Sequence, residues 1–251
     1  MKTLAFFALS ALATASYALT PAPMGEIRIT GTSNQTASVN NSVVKNTADS
    51  NAYANQNLAS NKGSVSITGT SNQSATLEKA TVENHAKNAG DIAVQSLASN
   101  VGKVSVSGTS NQTANVIESS MYNTAEGNGC VGCDAGTAVA YQNAASNHGD
   151  VTISGTSNQY FGMSGGSVAD NKAKGANAVA VQNMSSNYGK VLISGTSNQT
   201  TYITGQSFVG NLANGDGAVA YQNLASNDAC EPPPPICVGP ACGPFASLTR
   251  P

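Results

Sequence analysis

The pentapeptide Gly-Thr-Ser-Asn-Gln occurs five times, beginning at Gly31, Gly69, Gly108, Gly155 and Gly195, at spacings of 38, 39, 47 and 40 residues. A second element, Q-[NS]-x-[AS]-S-N, begins at Gln56, Gln95, Gln142, Gln182 and Gln222. Each of its first four copies lies 17 residues before the Gln of the next pentapeptide. A third marker, N-x-A, recurs at Asn46, Asn84, Asn123, Asn171 and Asn211. A period near 40 residues restricts the chain to a repeat array, a solenoid or a propeller.

Within each unit the residues alternate with period 2, which is the signature of a strand. In Val65–Thr70, Val65, Ile67 and Gly69 face one way, and Ser66, Thr68 and Thr70 the other. A second strand is expected over Ala75–Leu77 and its equivalents. A third precedes the Gln-Asn marker, as in 138–142, 178–182 and 218–222. Turn clusters such as Ser60-Asn61-Lys62-Gly63 separate them. The expected unit is therefore about three short strands. The predicted fold class is all-β: a repeat protein of stacked β-layers, solenoid-like, with five units of about 40 residues. A propeller fits less well, because it needs about four strands per blade and no WD or Kelch signature is present.

Stacked layers lie about 4.8 Å apart, so each residue meets its own copy in the next layer. Asn on Asn and Gln on Gln then form amide ladders, each side chain donating to one neighbour and accepting from the other. Such ladders satisfy buried amides that are otherwise costly. The predicted columns are Asn34/Asn72/Asn111/Asn158/Asn198 and Gln56/Gln95/Gln142/Gln182/Gln222. The adjacent Gln35, Gln73, Gln112, Gln159 and Gln199 are assigned to ladders as well. The composition agrees: the chain has 28 Asn and 11 Gln, while only 10% of it is charged. Like charges stacked in a column would repel. The formal charge of −2 also lacks the basic footprint of nucleic-acid binding.

Residues 1–18 read as a Sec-type signal peptide: Lys2, an apolar Leu4–Leu12 stretch, then small residues, with cleavage after Ala18 or after Ala15. The stretch is too short to span a membrane. Residues 19–25 form a short lead, 26–228 the five-repeat stack, and 229–251 a Cys/Pro-rich tail. The expected location is extracellular.

The five Gly-Thr-Ser-Asn-Gln and five Q-[NS]-x-[AS]-S-N elements, over Glu26 to Asn227, resemble bacterial functional amyloid subunits. The resemblance is to Fap-type fibre proteins and, more distantly, curlins. It implies a secreted, self-assembling subunit of biofilm fibres, with a nucleator subunit and an outer-membrane export pore as further partners. The Fap-type C-terminal Cys-x-x-Cys is not matched, since the tail carries Cys230, Cys237 and Cys242. The Cys-x-x-Cys of this chain, Cys130 to Cys133, lies in the eight-residue excess of the third repeat.

In an exported chain Cys130 and Cys133 read first as a loop-stapling disulfide, and Cys237 and Cys242 as a second possible pair. The four prolines 232–235 favour an extended, stiff segment that ends the stack. The Thr/Ser-Gly-Thr array, from Thr30/Thr32 to Ser194/Thr196, is expected on an outward face and is similar to the arrays of ice-binding solenoids. His85 and His148 do not recur and are expected in exposed loops. No recurring carboxylate pair, GxSxG or P-loop occurs, so no catalytic, cofactor or metal residues are assigned and the chain is read as a non-enzyme. A monomeric binding solenoid, ice-binding or adhesive, is the alternative. A monomer needs capped ends, whereas the first repeat follows the predicted cleavage site closely, which favours assembly.

Overall fold

The structure is a computed structural model of the chain, and it describes residues 25–49, 52–88, 90–127 and 138–228. These form a β-solenoid of about five turns with no helix. Turn 1 comprises β1 (Glu26–Ile29), β2 (Thr32–Asn40), β3 (Val43–Asp49) and β4 (Ala54–Leu58). Turn 2 comprises β5 (Asn61–Ile67), β6 (Thr70–Glu78), β7 (Thr81–Lys87) and β8 (Ile92–Leu97). Turn 3 comprises β9 (Asn100–Val106), β10 (Thr109–Ile117), β11 (Ser120–Glu126) and β12 (Val139–Ala144). In the last two turns the first strand is split. Turn 4 has β13 (Asn147–His148), β14 (Val151–Ile153), β15 (Thr156–Ser164), β16 (Val168–Lys174) and β17 (Val179–Met184). Turn 5 has β18 (Asn187–Tyr188), β19 (Val191–Ile193), β20 (Thr196–Ile203), β21 (Phe208–Asn214) and β22 (Val219–Leu224), and β23 (Asn227–Asp228) follows.

Four parallel sheets result. The first contains β1, β5, β9, β13, β14, β18, β19 and β23; the second runs β2-β6-β10-β15-β20; the third β3-β7-β11-β16-β21; the fourth β4-β8-β12-β17-β22. Equivalent residues pair without slippage: Asn34, Asn72, Asn111, Asn158 and Asn198 are direct cross-strand partners. The unequal repeat lengths are absorbed between strands. The second-to-third corner gains one residue in turns 4 and 5, and the long third repeat is accommodated between β11 and β12.

Each turn thus has four strands, not the expected three. The missed one is the third-sheet strand that carries N-x-A. Its inward positions in turn 2 are Val82, Asn84 and Ala86, so a polar residue sits at the centre of the buried row and the apolar alternation is broken. The expected turn cluster Ser60-Asn61-Lys62-Gly63 is also corrected. Asn61 is 2% exposed and opens β5; the bend is two residues earlier, at Ala59. Ala59, Ala98, Ala145, Ser185 and Ala225 all adopt left-handed φ near 50° at this corner. The serine that follows donates to the carbonyl two residues back and accepts the next turn's serine N–H, as in Ser99 N to Ser60 Oγ at 3.1 Å.

The core is thin and divided. Leu58, Leu77, Val82, Leu97, Val116, Met121, Phe161, Met163 and Met184 fill the junction of the second, third and fourth sheets. Between the third and fourth sheets runs a seam of alanines only, including Ala54, Ala86, Ala93, Ala125, Ala140, Ala173 and Ala180. Val and Ile of the first sheet, such as Val65, Ile67, Val104 and Ile153, stack in a third cluster. Short side chains let the facing sheets approach closely, so inward amides reach the opposite backbone.

The corner between first and second sheets is set by stacking itself. Thr68 N and Gly69 N both donate to Ile29 O at 2.9 Å. A Cβ on Gly69 would collide with the Gly31 carbonyl oxygen below, and the same holds for Gly108, Gly155 and Gly195 on their lower neighbours. We expect Gly108→Ala to destabilise the stack by about 2–4 kcal/mol. Gly90→Ala, with open space around it, should stay within about 0.5 kcal/mol. Urea midpoints of the two variants check this.

Candidate functional site: the amide columns and the two open ends

Four columns run the length of the stack as side-chain amide ladders. On the outer face of the second sheet, Asn72 donates to Asn34, Asn111 to Asn72, Asn158 to Asn111 and Asn198 to Asn158, each at 2.8 Å. Inside, on the fourth sheet, Gln95 donates to Gln56 at 3.0 Å, Gln142 to Gln95 at 2.8 Å, Gln182 to Gln142 at 2.7 Å and Gln222 to Gln182 at 2.6 Å. The Asn34 column is therefore outward-facing, although every one of its amides is paired.

The other two ladders lie in markers that were not assigned as columns. Asn46 donates to Asn84, Asn84 to Asn123, Asn123 to Asn171 and Asn171 to Asn211, all at 2.8 Å. Asn61 donates to Asn100, Asn100 to Asn147, Asn147 to Asn187 and Asn187 to Asn227 at 2.8–2.9 Å. The last Asn of each Q-[NS]-x-[AS]-S-N element is the signal in the sequence for the second of these columns.

The expectation of a self-laddered column does not hold for Gln35, Gln73, Gln112, Gln159 and Gln199. Only Gln73 donates to its lower neighbour, Gln35, at 3.3 Å. All five cross the core to the first sheet: Gln35 to Asn61 Oδ1 at 2.9 Å, Gln73 to Ser99 O at 3.2 Å, Gln112 to Ser146 O at 3.2 Å and Asn147 Oδ1 at 3.1 Å, and Gln159 and Gln199 likewise to the next turn. The Asn61 column already offers an acceptor at each level, and it captures these amides. Asn147 is saturated as a result: Oδ1 accepts from Asn100 and Gln112, and Nδ2 donates to Asn187 Oδ1 and Ser157 Oγ.

The ladders do not all point the same way. The Asn34 and Gln56 columns donate toward turn 1, whereas the Asn46 and Asn61 columns donate toward turn 5. Each end of the stack therefore carries both donor and acceptor columns. Their polarities are opposite at the two ends, so the last residue of each column matches the first of the same column: Asn198 with Asn34, Gln222 with Gln56, Asn211 with Asn46 and Asn227 with Asn61. Among the described residues no strand or loop lies across either end. Inward Gln35, Ala37 and Val39 in turn 1, and Thr201, Val209 and Ala213 in turn 5, are half-exposed where their mid-stack counterparts are buried.

The remaining predicted features fall as follows. Thr30/Thr32 and their equivalents straddle the glycine corner, so the Thr/Ser-Gly-Thr array is bent around an edge and does not form a flat lattice. Neither His lies in a loop. His85 is in β7, 3.6 Å from Glu126 Oε2, and His148 is in β13. His148 stacks on Tyr188 (5.1 Å between centroids), meets Tyr141 edge-on and lies 3.4 Å from Asn183 Nδ2. This seam joins the first sheet to the outer face of the fourth, where Val181 is fully buried. Among the described residues no group of His, Cys, Asp and Glu is arranged to hold a metal, and no helix is long and apolar enough to cross a membrane. Cys130, Cys133, Cys230, Cys237 and Cys242, the prolines 232–235 and the predicted signal peptide lie outside the described residues. Comparison with protein-family models, curated proteins and solved structures finds no match to the chain.

Two outcomes follow from this geometry. Gln142→Leu strips two ladder bonds and leaves Gln95 Oε1 and Gln182 Nε2 without their partner, so it should cost about 2–4 kcal/mol. Asn111→Ser, on the wet outer ladder, should cost about 1 kcal/mol or less; urea melts compare them. Desolvation lowers the His148 pKa to about 4. Between about pH 6.5 and 4 only the unfolded chain binds this proton, so the stability of neutral His148 is full above pH 6.5 and is lost as pH falls. His148→Val, which introduces the residue type found at Val101 below it, should flatten the fall in urea midpoint between pH 7 and pH 4.5.

Proposed function

We propose that this chain is a secreted structural subunit that assembles by layer addition into extracellular, amyloid-like fibres of the bacterial functional amyloid type. Residues 1–18 serve as its export signal. The observation that carries the reading is the ladder polarity at the two ends. Every internal layer is held by bonds from an identical residue above and below, and turn 5 offers turn 1 of another copy the same pattern in the same register. Parallel strand edges are templates for further strands, and like-on-like amide stacking extends without limit. The alanine seam, the glycine corner and the serine corner also repeat across such a junction, so no new shape is needed. The partner is a second copy of the chain; a nucleator and an export pore are the additional partners of this reading.

The test separates growth from folding. Ala213 sits in the alanine seam of the last turn, half-exposed, whereas its counterpart Ala173 is fully buried. Ala213→Lys should leave the stack folded, with unchanged β-sheet circular dichroism, because the side chain can reach solvent at the end. It should reduce the thioflavin growth rate at least tenfold. Leu212→Lys, on the outer face beside it, should grow normally. Fibres of the unaltered chain should give a reflection near 4.8 Å. A chain that forms no fibres at high concentration for days overturns the proposal.

A further inference from the structure

The outer face of the second sheet is unlike the others. The outer face of the third sheet carries ion pairs, Lys45–Glu83 at 3.2 Å and Lys174–Glu126 at 3.3 Å. The first sheet displays Glu26, Arg28 and Lys103. The second sheet displays one charge, Glu78, at the end of its strand. Its outward Thr32 and Asn34 columns keep the same residue in all five turns, as do the inward Ser33 and Gln35 columns beside them, whereas further along the strand both rows vary, as from Ala75 to Phe161 and from Ser74 to Tyr160. Ladder bonds account for the Asn column but not for the Thr column.

Bulk on this face is unevenly placed. At the third and fourth outward positions, turns 1–3 carry small side chains: Thr36, Ser74 and Thr113, then Ser38, Thr76 and Asn115. Turns 4 and 5 carry Tyr160 and Tyr202, 39% and 60% exposed. The Tyr160 ring lies flat over Gly162, where a Cβ would stand 2.9 Å from the ring carbon Cε1.

We propose that this face is an interface with the same face of a second copy, related by a two-fold axis parallel to the strands. That operation keeps each column over itself and reverses the order of turns. Tyr160 of turn 4 then faces Ser74 of the other copy's turn 2. Tyr202 of turn 5 faces Ser38 of turn 1, and Thr113, in the middle turn, faces its own counterpart. Bulky half meets small half, as an isologous contact requires. The alternative axis, along the stack, sets Tyr160 against Tyr160 and holds turns 1–3 apart. No charge is trapped, since Glu78 faces Ser164. Nine-residue strands at ~3.3 Å per residue and five layers at ~4.8 Å give roughly 700 Å² per copy, or about 1,400 Å² in total, within the range of specific association. End growth leaves this face uncovered, so the pairing holds for single stacks and for fibres alike. In fibres it joins two filaments of opposite polarity.

The position of Thr113 supplies the test. The full chain, before any fibre growth, should sediment with the mass of two chains. Thr113→Lys alone and Thr113→Asp alone should each halve that mass, because like charges meet on the axis, with β-sheet circular dichroism unchanged. Mixing the two variants should restore the doubled mass, which also shows that both are folded. A chain carrying Ser74→Lys together with Tyr160→Asp should remain paired, since those positions face each other only under the proposed axis. A single-chain mass for the unaltered protein, variants without effect, a mixture that does not recover or a monomeric double variant each overturn the proposal. Electron micrographs of the same samples should show paired filaments where the mass is doubled and single ones where it is not. A doubled mass without any fibres would count against end growth while leaving the pairing standing.

Discussion

Everything in this structure depends on parallel, in-register stacking, which sets each residue on its own copy one layer away. That constraint selects the side chains. A lysine column would repel itself, and a leucine column is stable only where a wide core exists. An amide column is both donor and acceptor and binds its own kind. The chain uses Asn and Gln where most proteins use a thick apolar core. The net gain per amide bond is modest, about 1 kcal/mol, but the geometry repeats at every layer. The price of leaving such a group unpaired inside is larger than the gain from pairing it, so the ladders fix the register more strongly than they add stability.

The same constraint explains the small residues. Alanines line the seam between the third and fourth sheets because a larger side chain would push apart sheets whose Gln95 and Asn123 reach the opposite backbone. Glycine holds the first corner because the carbonyl of the glycine below occupies the place of its Cβ. Most charges lie on outer faces, and on the third sheet opposite signs meet across layers, as Lys45 and Glu83 or Glu126 and Lys174 do.

Much of this was legible in the sequence. Exact repeats announced stacking, period-2 alternation located the Val/Ile strand of the first sheet, and the recurrence of Gln56 and Asn34 at matched offsets foretold two ladders. What escaped detection has one cause. Wherever an amide occupies an inward position, the buried row stops looking apolar. Asn84 hid a whole strand in this way, and Asn61 made a strand start resemble a turn. The partition of Gln112 away from its own column was illegible for a different reason. It depends on the first sheet lying opposite the second at hydrogen-bonding distance, which no linear spacing encodes. The bend at Gly69 was hidden because alternation continues across it.

The opposed directions of the ladders bear on electrostatics at long range. An α-helix sums its peptide dipoles into a field that grows with alignment. Here two complete columns of side-chain dipoles run up the stack and two run down, and they oppose one another; a shorter ladder, Asn223 to Asn183 to Asn143, adds to the set that donates toward turn 1. Adding layers therefore builds up far less polarisation along the axis than columns of one direction would. The length of the stack is thus only weakly coupled to the field at its ends.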